Sequence, residues 1–146
     1  MNEPISAALK EDHRRCDRLL ARVESATGDD DWVGVARESG EFRDAMEHHF
    51  RFEEEVLFPA LEGRLPMAAG PTGVMRMEHA QMRRMLGELA AAVSNRSTED
   101  CVGILETLHL VTQQHNTKEE GVLYPMADHA LVPEAAGLLA QFHGNS

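Results

Sequence analysis

Histidine and glutamate residues recur in this chain at spacings that suit metal ligands. Residues 49–59 read His-x3-Glu-Glu-x-Val-Leu-aromatic-Pro, and the same pattern returns 66 positions later in residues 115–125. A further histidine keeps the interval, because His13 recurs as His79. Repetition at a fixed interval indicates an internally duplicated module. Since imidazole nitrogens and carboxylate oxygens are common transition-metal ligands, the duplicated residues predict a metal site.

The predicted ligand set combines four imidazoles with two carboxylates. Its members are His13, His49, Glu53, His79, His115 and Glu119. A residue four positions further along an α-helix is rotated by only about 40°, so each glutamate of the set shares a face with the histidine before it. The adjacent Glu54 and Glu120 should point away from that face. We expect these two side chains to be solvated charges.

Six such side chains in one apolar core need a cation. Each unpaired buried ion costs several kcal/mol, whereas a whole domain has a net stability of only about 5–15 kcal/mol. The set is too large for one tetrahedral zinc, and two carboxylates can bridge two ions, so a dinuclear site is favoured. Each metal would then have two imidazoles and an open position for a small molecule. Mixed nitrogen and oxygen ligation fits iron, manganese and zinc about equally.

The pattern of apolar residues predicts an all-α fold that positions these ligands. Only 5% of the residues are aromatic and no alternating Val/Ile-rich run occurs, so a sheet is disfavoured. Caps, glycines and prolines predict five helices. The first two extend over about 4–26 and about 31–62, the third begins at about 71, the fourth follows a turn at 94–100, and the last extends over about 133–143. Four long helices with short connections imply an up-down-up-down bundle, followed by the short C-terminal helix. Helical rise then lets all four predicted histidine ligands meet at one level.

Bulk composition limits the range of functions. A chain of 146 residues that is 42% apolar fits a single domain over 1–146, with duplicated halves at about 5–62 and 71–128. Its formal charge of -11 disfavours nucleic acid and anionic membrane surfaces as partners. No run of eighteen apolar residues and no signal-peptide pattern is found, so we expect a cytoplasmic protein. Cys16 and Cys101 are expected to be small buried hydrophobes.

The ligand pattern resembles that of the hemerythrin-like, or HHE cation-binding, domain. The resemblance extends over the four long predicted helices and is carried, in this order, by His13, His49-x3-Glu53, His79 and His115-x3-Glu119. It implies a four-helix bundle that holds a non-haem di-iron centre, with the two glutamates as bridges. The implied cofactor is two iron ions with a bridging oxo or hydroxo group, and zinc or manganese is the weaker alternative.

Two departures separate this chain from the oxygen-carrying hemerythrins. Those proteins have a further histidine one turn before the third-helix ligand, where this chain has Met75, and they have His-x4-Asp where this chain has His115-x3-Glu119. The set of four histidines and two glutamates is more similar to the branch that includes bacterial proteins for repair of iron centres. Those proteins carry an additional cysteine-containing domain, whereas the first predicted helix here begins almost at Met1. We expect Met46, Met75 and Met82 to fill gaps around the site, and the alternative for Met75 is to line the open coordination position.

Two classes of function fit these observations. A binding protein would capture O₂ or NO at the open position, for sensing, storage or buffering. An enzyme would use the same position to break down peroxide or reduce NO, and a related role is iron donation for repair of iron-sulfur centres. We favour the binding protein over the enzyme, because the sequence shows no catalytic acid and no substrate-cleft motif. Phe58 and Tyr124, which occupy equivalent repeat positions, are expected to pack near the end of the bundle.

Overall fold

Long helices make up almost all of the computed structural model, which describes residues 3–144. No strand occurs among those residues, so the all-α prediction is confirmed. The helices are α1 (Ile5–Gly28), α2 (Trp32–Phe52), α3 (Phe58–Arg64), α4 (Ala69–Ser94), α5 (Thr98–Lys118), α6 (Tyr124–Ala130) and α7 (Ala135–Gly144). The predicted short C-terminal helix is α7. None of the described helices is long and apolar enough to cross a membrane.

A π-helical turn joins α2 to α3, and a second one joins α5 to α6. These turns are Glu53–Leu57 and Glu119–Leu123, so each begins at a glutamate of the predicted ligand set. The prolines that follow, Pro59 and Pro125, explain the widening. A proline within an α-helix lacks the N–H for an i→i−4 hydrogen bond, and its ring crowds the carbonyl four residues earlier. One extra residue in the preceding turn accommodates the ring without ending the helix.

The connections between the long helices are short because the sequence supplies caps and tight turns. Asp31 accepts a hydrogen bond from the Gly34 N–H at 3.1 Å, and Ser97 accepts one from the Asp100 N–H at 3.2 Å, at the starts of α2 and α5. A Cβ at position 34 would lie 2.3 Å from Oδ2 of Asp31, so a larger residue there would displace the capping carboxylate. These connections let α1 pack against α2, and α4 against α5.

Two apolar clusters fill the core of the bundle. One includes Ile5, Leu9, Phe58, Tyr124 and Phe142, and the other includes Leu20, Val23, Phe42, Leu89 and Leu105. Both cysteines are buried, as the sequence predicts. A group of buried polar and ionisable side chains belongs to neither apolar cluster. The six predicted metal ligands are in that group.

Candidate metal centre

All six predicted ligands are buried and turn their polar atoms toward one another. We call the pair His13 and His49 the first subsite, and the pair His79 and His115 the second subsite. Each of the four imidazoles is at most 5% exposed, and the shared carboxylates of Glu53 and Glu119 are fully buried. Their ligand atoms form two overlapping groups, in each of which all atoms lie within 4.8 Å of one another. This spacing can hold metal ions.

Glu53 connects the subsites through its two separate oxygens, whereas Oε1 of Glu119 by itself lies near both subsites. Oε2 of Glu53 lies 3.2 Å from Nε2 of His49, and Oε1 of the same side chain lies 3.0 Å from Nε2 of His79. Oε1 of Glu119 lies 3.0 Å from Nε2 of His13 and 3.2 Å from Nε2 of His115. Oε2 of the same side chain lies 3.9 Å from Nε2 of His79. Each carboxylate therefore spans from one subsite to the other.

Several of these buried atoms make no hydrogen bond within the described part of the chain. Among the described residues, no hydrogen bond reaches Glu53 Oε1, Glu119 Oε2, His79 Nε2 or His115 Nε2. An unsatisfied buried polar atom costs about 1–3 kcal/mol, and native proteins contain few of them. Four in one place are explained if a cation is the missing partner. The donor set thus fits a metal centre on its own chemistry, because imidazole nitrogens and carboxylate oxygens bind transition metals.

A second carboxylate orients each imidazole from the opposite side of the ring. In every case the imidazole Nδ1 lies 2.7–2.8 Å from a carboxylate oxygen, which leaves Nε2 to face the centre. We call these four the outer carboxylates, and they pair as His13 with Glu120, His49 with Asp12, His79 with Glu54, and His115 with Glu78. A hydrogen bond of this kind fixes the ring and the tautomer of a metal-binding histidine.

The prediction that Glu54 and Glu120 are solvated charges was wrong. Both residues are rotated away from the core face of their own helix, as predicted, but this direction leads to an imidazole on a neighbouring helix. The repeat itself contains the signal that was missed. Glu54 and Glu120 are 66 positions apart, and so are Asp12 and Glu78, which makes the outer carboxylates as regularly duplicated as the ligands.

The carboxylates strongly shift the protonation of the buried imidazoles. Burial by itself lowers the pKa of His79, but the adjacent carboxylates of Glu53 and Glu54 outweigh it and raise that pKa to about 9. Burial likewise lowers the pKa of His49, and the charge of Glu53 together with the hydrogen bond to Asp12 raises it well above the usual value. Without a metal, the site therefore keeps protons in place of a cation. Metal binding must displace those protons.

Tyr124 lies inside this site, so the prediction that it packs near the bundle end was wrong. Its hydroxyl is 2.6 Å from Glu53 Oε2 and 2.9 Å from Glu119 Oε1, and the side chain is fully buried. Five α-helical positions after Glu119 would place Tyr124 about 140° away from the ligand face. The π turn between them adds a residue to the turn and returns Tyr124 to that face.

A small cavity adjoins three of the four ligand imidazoles. It has a volume of about 10 Å³, which is space for roughly one water-sized molecule. Its lining is His13, Cys16, Met46, His49, Phe50, Met82, Thr112, His115 and Asn116. Met46 and Met82 line this cavity, whereas Met75 packs in the apolar cluster that contains Tyr124. Met75 therefore does not take its alternative role at this cavity.

The remaining histidines described by the structure lie outside the cluster. His48 follows Glu47 on α2, and its Nε2 lies 3.1 Å from the backbone oxygen of Phe142 in α7. His129 is exposed on α6. Neither belongs to a group of ligand atoms close enough to share a metal ion.

Comparison with known protein families agrees with this site. The model of the family described as "Hemerythrin HHE cation binding domain" matches residues 5–140. No curated protein and no solved structure matches the chain significantly. The matched range includes all six converging residues and all four outer carboxylates.

Proposed function

This chain belongs to the hemerythrin HHE cation-binding family, and we propose that it holds two iron ions and reversibly binds a diatomic molecule, O₂ or NO. The observation that carries the proposal is the buried set of four imidazoles and two shared carboxylates, in which four ligand atoms make no hydrogen bond among the described residues. The proposed ligands are His13, His49, Glu53, His79, His115 and Glu119. Sensing, storage or buffering of the diatomic would follow from such binding.

Two ions rather than one are supported by the division of the ligand atoms. The two oxygens of Glu53 face different subsites, at 3.2 Å from His49 Nε2 and 3.0 Å from His79 Nε2. A single ion would leave one of these pairs unused in a fully buried position. We propose iron because the ligand set resembles that of non-haem di-iron domains, while the donor atoms themselves also suit manganese and zinc.

The surroundings of the site favour a diatomic ligand over a larger substrate. When bound, a pair of ferrous ions supplies the electrons and the coordination position that a diatomic molecule needs. The chain contributes a cavity of about 10 Å³ beside the imidazoles, too small for an organic substrate. Met46, Phe50 and Met82 line it with apolar atoms, so water is poorly accommodated. The outer carboxylates hold the imidazoles in place while the ligand enters and leaves.

Gas titration of the iron-loaded protein tests the proposal. The protein would be loaded with ferrous ions without oxygen, and its absorption spectrum would be followed while O₂ or NO is added and removed several times. We expect bands that appear with the gas and disappear on its removal, with His129→Ala behaving as wild type. A single irreversible oxidation, or steady consumption of peroxide or NO that Glu119→Ala abolishes, would instead show a redox enzyme.

A further inference from the structure

The hydroxyl of Tyr124 contacts every ligand atom of the first subsite. It lies 3.1 Å from Nε2 of His13, 3.0 Å from Nε2 of His49, 2.6 Å from Oε2 of Glu53 and 2.9 Å from Oε1 of Glu119. Two of these atoms are the imidazole nitrogens of the first subsite, and the other two belong to the shared carboxylates. A phenol oxygen therefore stands at nearly equal distance from two imidazoles and two carboxylates.

These distances match the separation of neighbouring donors around one metal ion. Nitrogen and oxygen ligands lie about 2.0–2.2 Å from a transition metal, so two donors at right angles are about 3 Å apart. All four distances of the Tyr124 oxygen, 2.6 to 3.1 Å, agree with that value. A metal ion held by these four donors would therefore have the Tyr124 oxygen within reach as a fifth.

Hydrogen bonding accounts for the contacts of the Tyr124 oxygen only while the imidazoles keep their protons. A phenol has one proton to donate and two lone pairs that accept. Once the Nε2 atoms of His13 and His49 bind a metal, they have no proton to give to the Tyr124 oxygen. The single phenol proton then satisfies only one of the two carboxylates. Coordination to the metal accounts for all four contacts together.

The second subsite lacks this oxygen although its aromatic ring is present. Phe58 holds the repeat position of Tyr124, and its ring stacks on His79 with centroids 6.0 Å apart. Tyr124 stacks on His13 in the same way, with centroids 5.5 Å apart. The two rings thus have similar places, and they differ by one hydroxyl. The chain offers five donors to the first subsite and four to the second.

We propose that Tyr124 binds the metal of the first subsite as a phenolate, which makes the two metal positions unequal. This inference rests on the proposed function, because it needs the metals to be present. The phenol proton leaves to solvent when the metal binds. An added negative charge next to the first metal stabilises its higher oxidation state, so the first iron should oxidise more readily than the second. The second subsite, with hydrocarbon at the same place, keeps its iron ferrous for longer.

The visible spectrum of the ferric protein tests this ligand directly. A phenolate bound to ferric iron gives a charge-transfer band in the visible range and enhanced phenolate ring modes in resonance Raman spectra. We expect both signals in the wild-type protein and in the control His129→Ala. We expect Tyr124→Phe to lose both signals, while the second subsite, whose four donors are unchanged, still binds iron. The phenylalanine ring keeps the packing, so the variant should fold normally.

The double variant Tyr124→Phe with Phe58→Tyr tests whether the phenolate signal can be moved to the second subsite. It should regain a phenolate band, now from the second subsite, because position 58 places its ring beside His79 as position 124 does beside His13. A ferric wild-type protein without the band, or Tyr124→Phe that keeps it, overturns the inference. In both cases a normal iron content leaves the proposed function standing, whereas a wild-type chain that binds no iron overturns the two together.

Discussion

The two subsites have the same ligands but different surroundings. At the second subsite, the ring of His79 stacks between Phe50 at 4.3 Å and Phe58 at 6.0 Å. Arg83 and Arg76 lie over the outer faces of these two phenylalanines, each at 5.3 Å from the ring centroid. This imidazole is therefore enclosed by hydrocarbon, and the cations stay outside the aromatic layer.

The first subsite has polar side chains at the corresponding repeat positions. Asn116 stands where the other half has Phe50, and Tyr124 stands where it has Phe58. Both are buried beside the site, Asn116 in the wall of the small cavity and Tyr124 with its hydroxyl among the ligand atoms. The first subsite can thus offer the polar groups of Asn116 and Tyr124 to a metal or its ligand, whereas the second subsite has phenylalanine rings at these positions.

The outer carboxylates differ between the subsites in their charge partners. Glu54 pairs with Arg83 at 2.9 Å, and Glu78 pairs with Lys118 at 2.5 Å, so both outer carboxylates of the second subsite have a cation. At the first subsite Asp12 pairs with Arg15 at 2.8 Å, whereas Glu120 has no Lys or Arg partner among the described residues. The ligand geometry is therefore duplicated between the two subsites, whereas the electrostatic environment is not.

Removing a shared glutamate should cause the largest loss of metal, and it should affect both subsites alike. Glu53→Ala and Glu119→Ala each take an oxygen from both metals, so we expect either variant to lose both ions. His13→Ala and His79→Ala each remove a donor from one metal only, and we expect them to retain part of the metal. Elemental analysis of the purified variants measures this. Equal metal content in all four variants would break the assignment of shared and separate ligands.

Neutralising an outer carboxylate should have an intermediate effect that is confined to one subsite. Glu54→Gln and Glu120→Gln should each weaken metal binding by about 10-fold to 100-fold, the usual range for a residue that orients a metal-binding histidine. The neighbour Glu55 is the matched control, because it is 59% exposed and pairs with Arg51 on the surface. Metal titration in two steps checks the prediction. An unchanged metal affinity in both variants would show that Glu54 and Glu120 do not support metal binding.

The smallest effect should come from pH in the metal-free protein. The folded pKa of His79 is about 9, above its unfolded value of about 6.5, so protonated His79 stabilises the folded chain below pH 6.5. This stability should be lost as the pH rises from about 6.5 through 9. Urea unfolding at both pH values, with and without iron, measures it. We expect the loss only without metal, and a metal-free protein that gains stability over this range would contradict it.

The fold class and the six converging residues were predictable because they depend on helical periodicity and one repeat interval. His49 and Glu53 lie four positions apart, and this spacing keeps both on one face whatever the tertiary packing. Tyr124 was not predictable in this way, because a π turn changes the face on which it lies. Glu120 required knowledge of the neighbouring helix, since its partner His13 is 107 positions away in the chain.

The most direct test of the central claim is a metal count on wild type, His115→Ala and His129→Ala, purified without chelator and loaded with ferrous iron. The six buried ligands predict about two iron ions per wild-type chain and per His129→Ala chain, with a clear loss in His115→Ala. Metal loss should also soften the bundle, which thermal unfolding would detect as a lower midpoint. Full iron content in His115→Ala, or a wild-type chain with one zinc or no metal, would contradict the di-iron assignment.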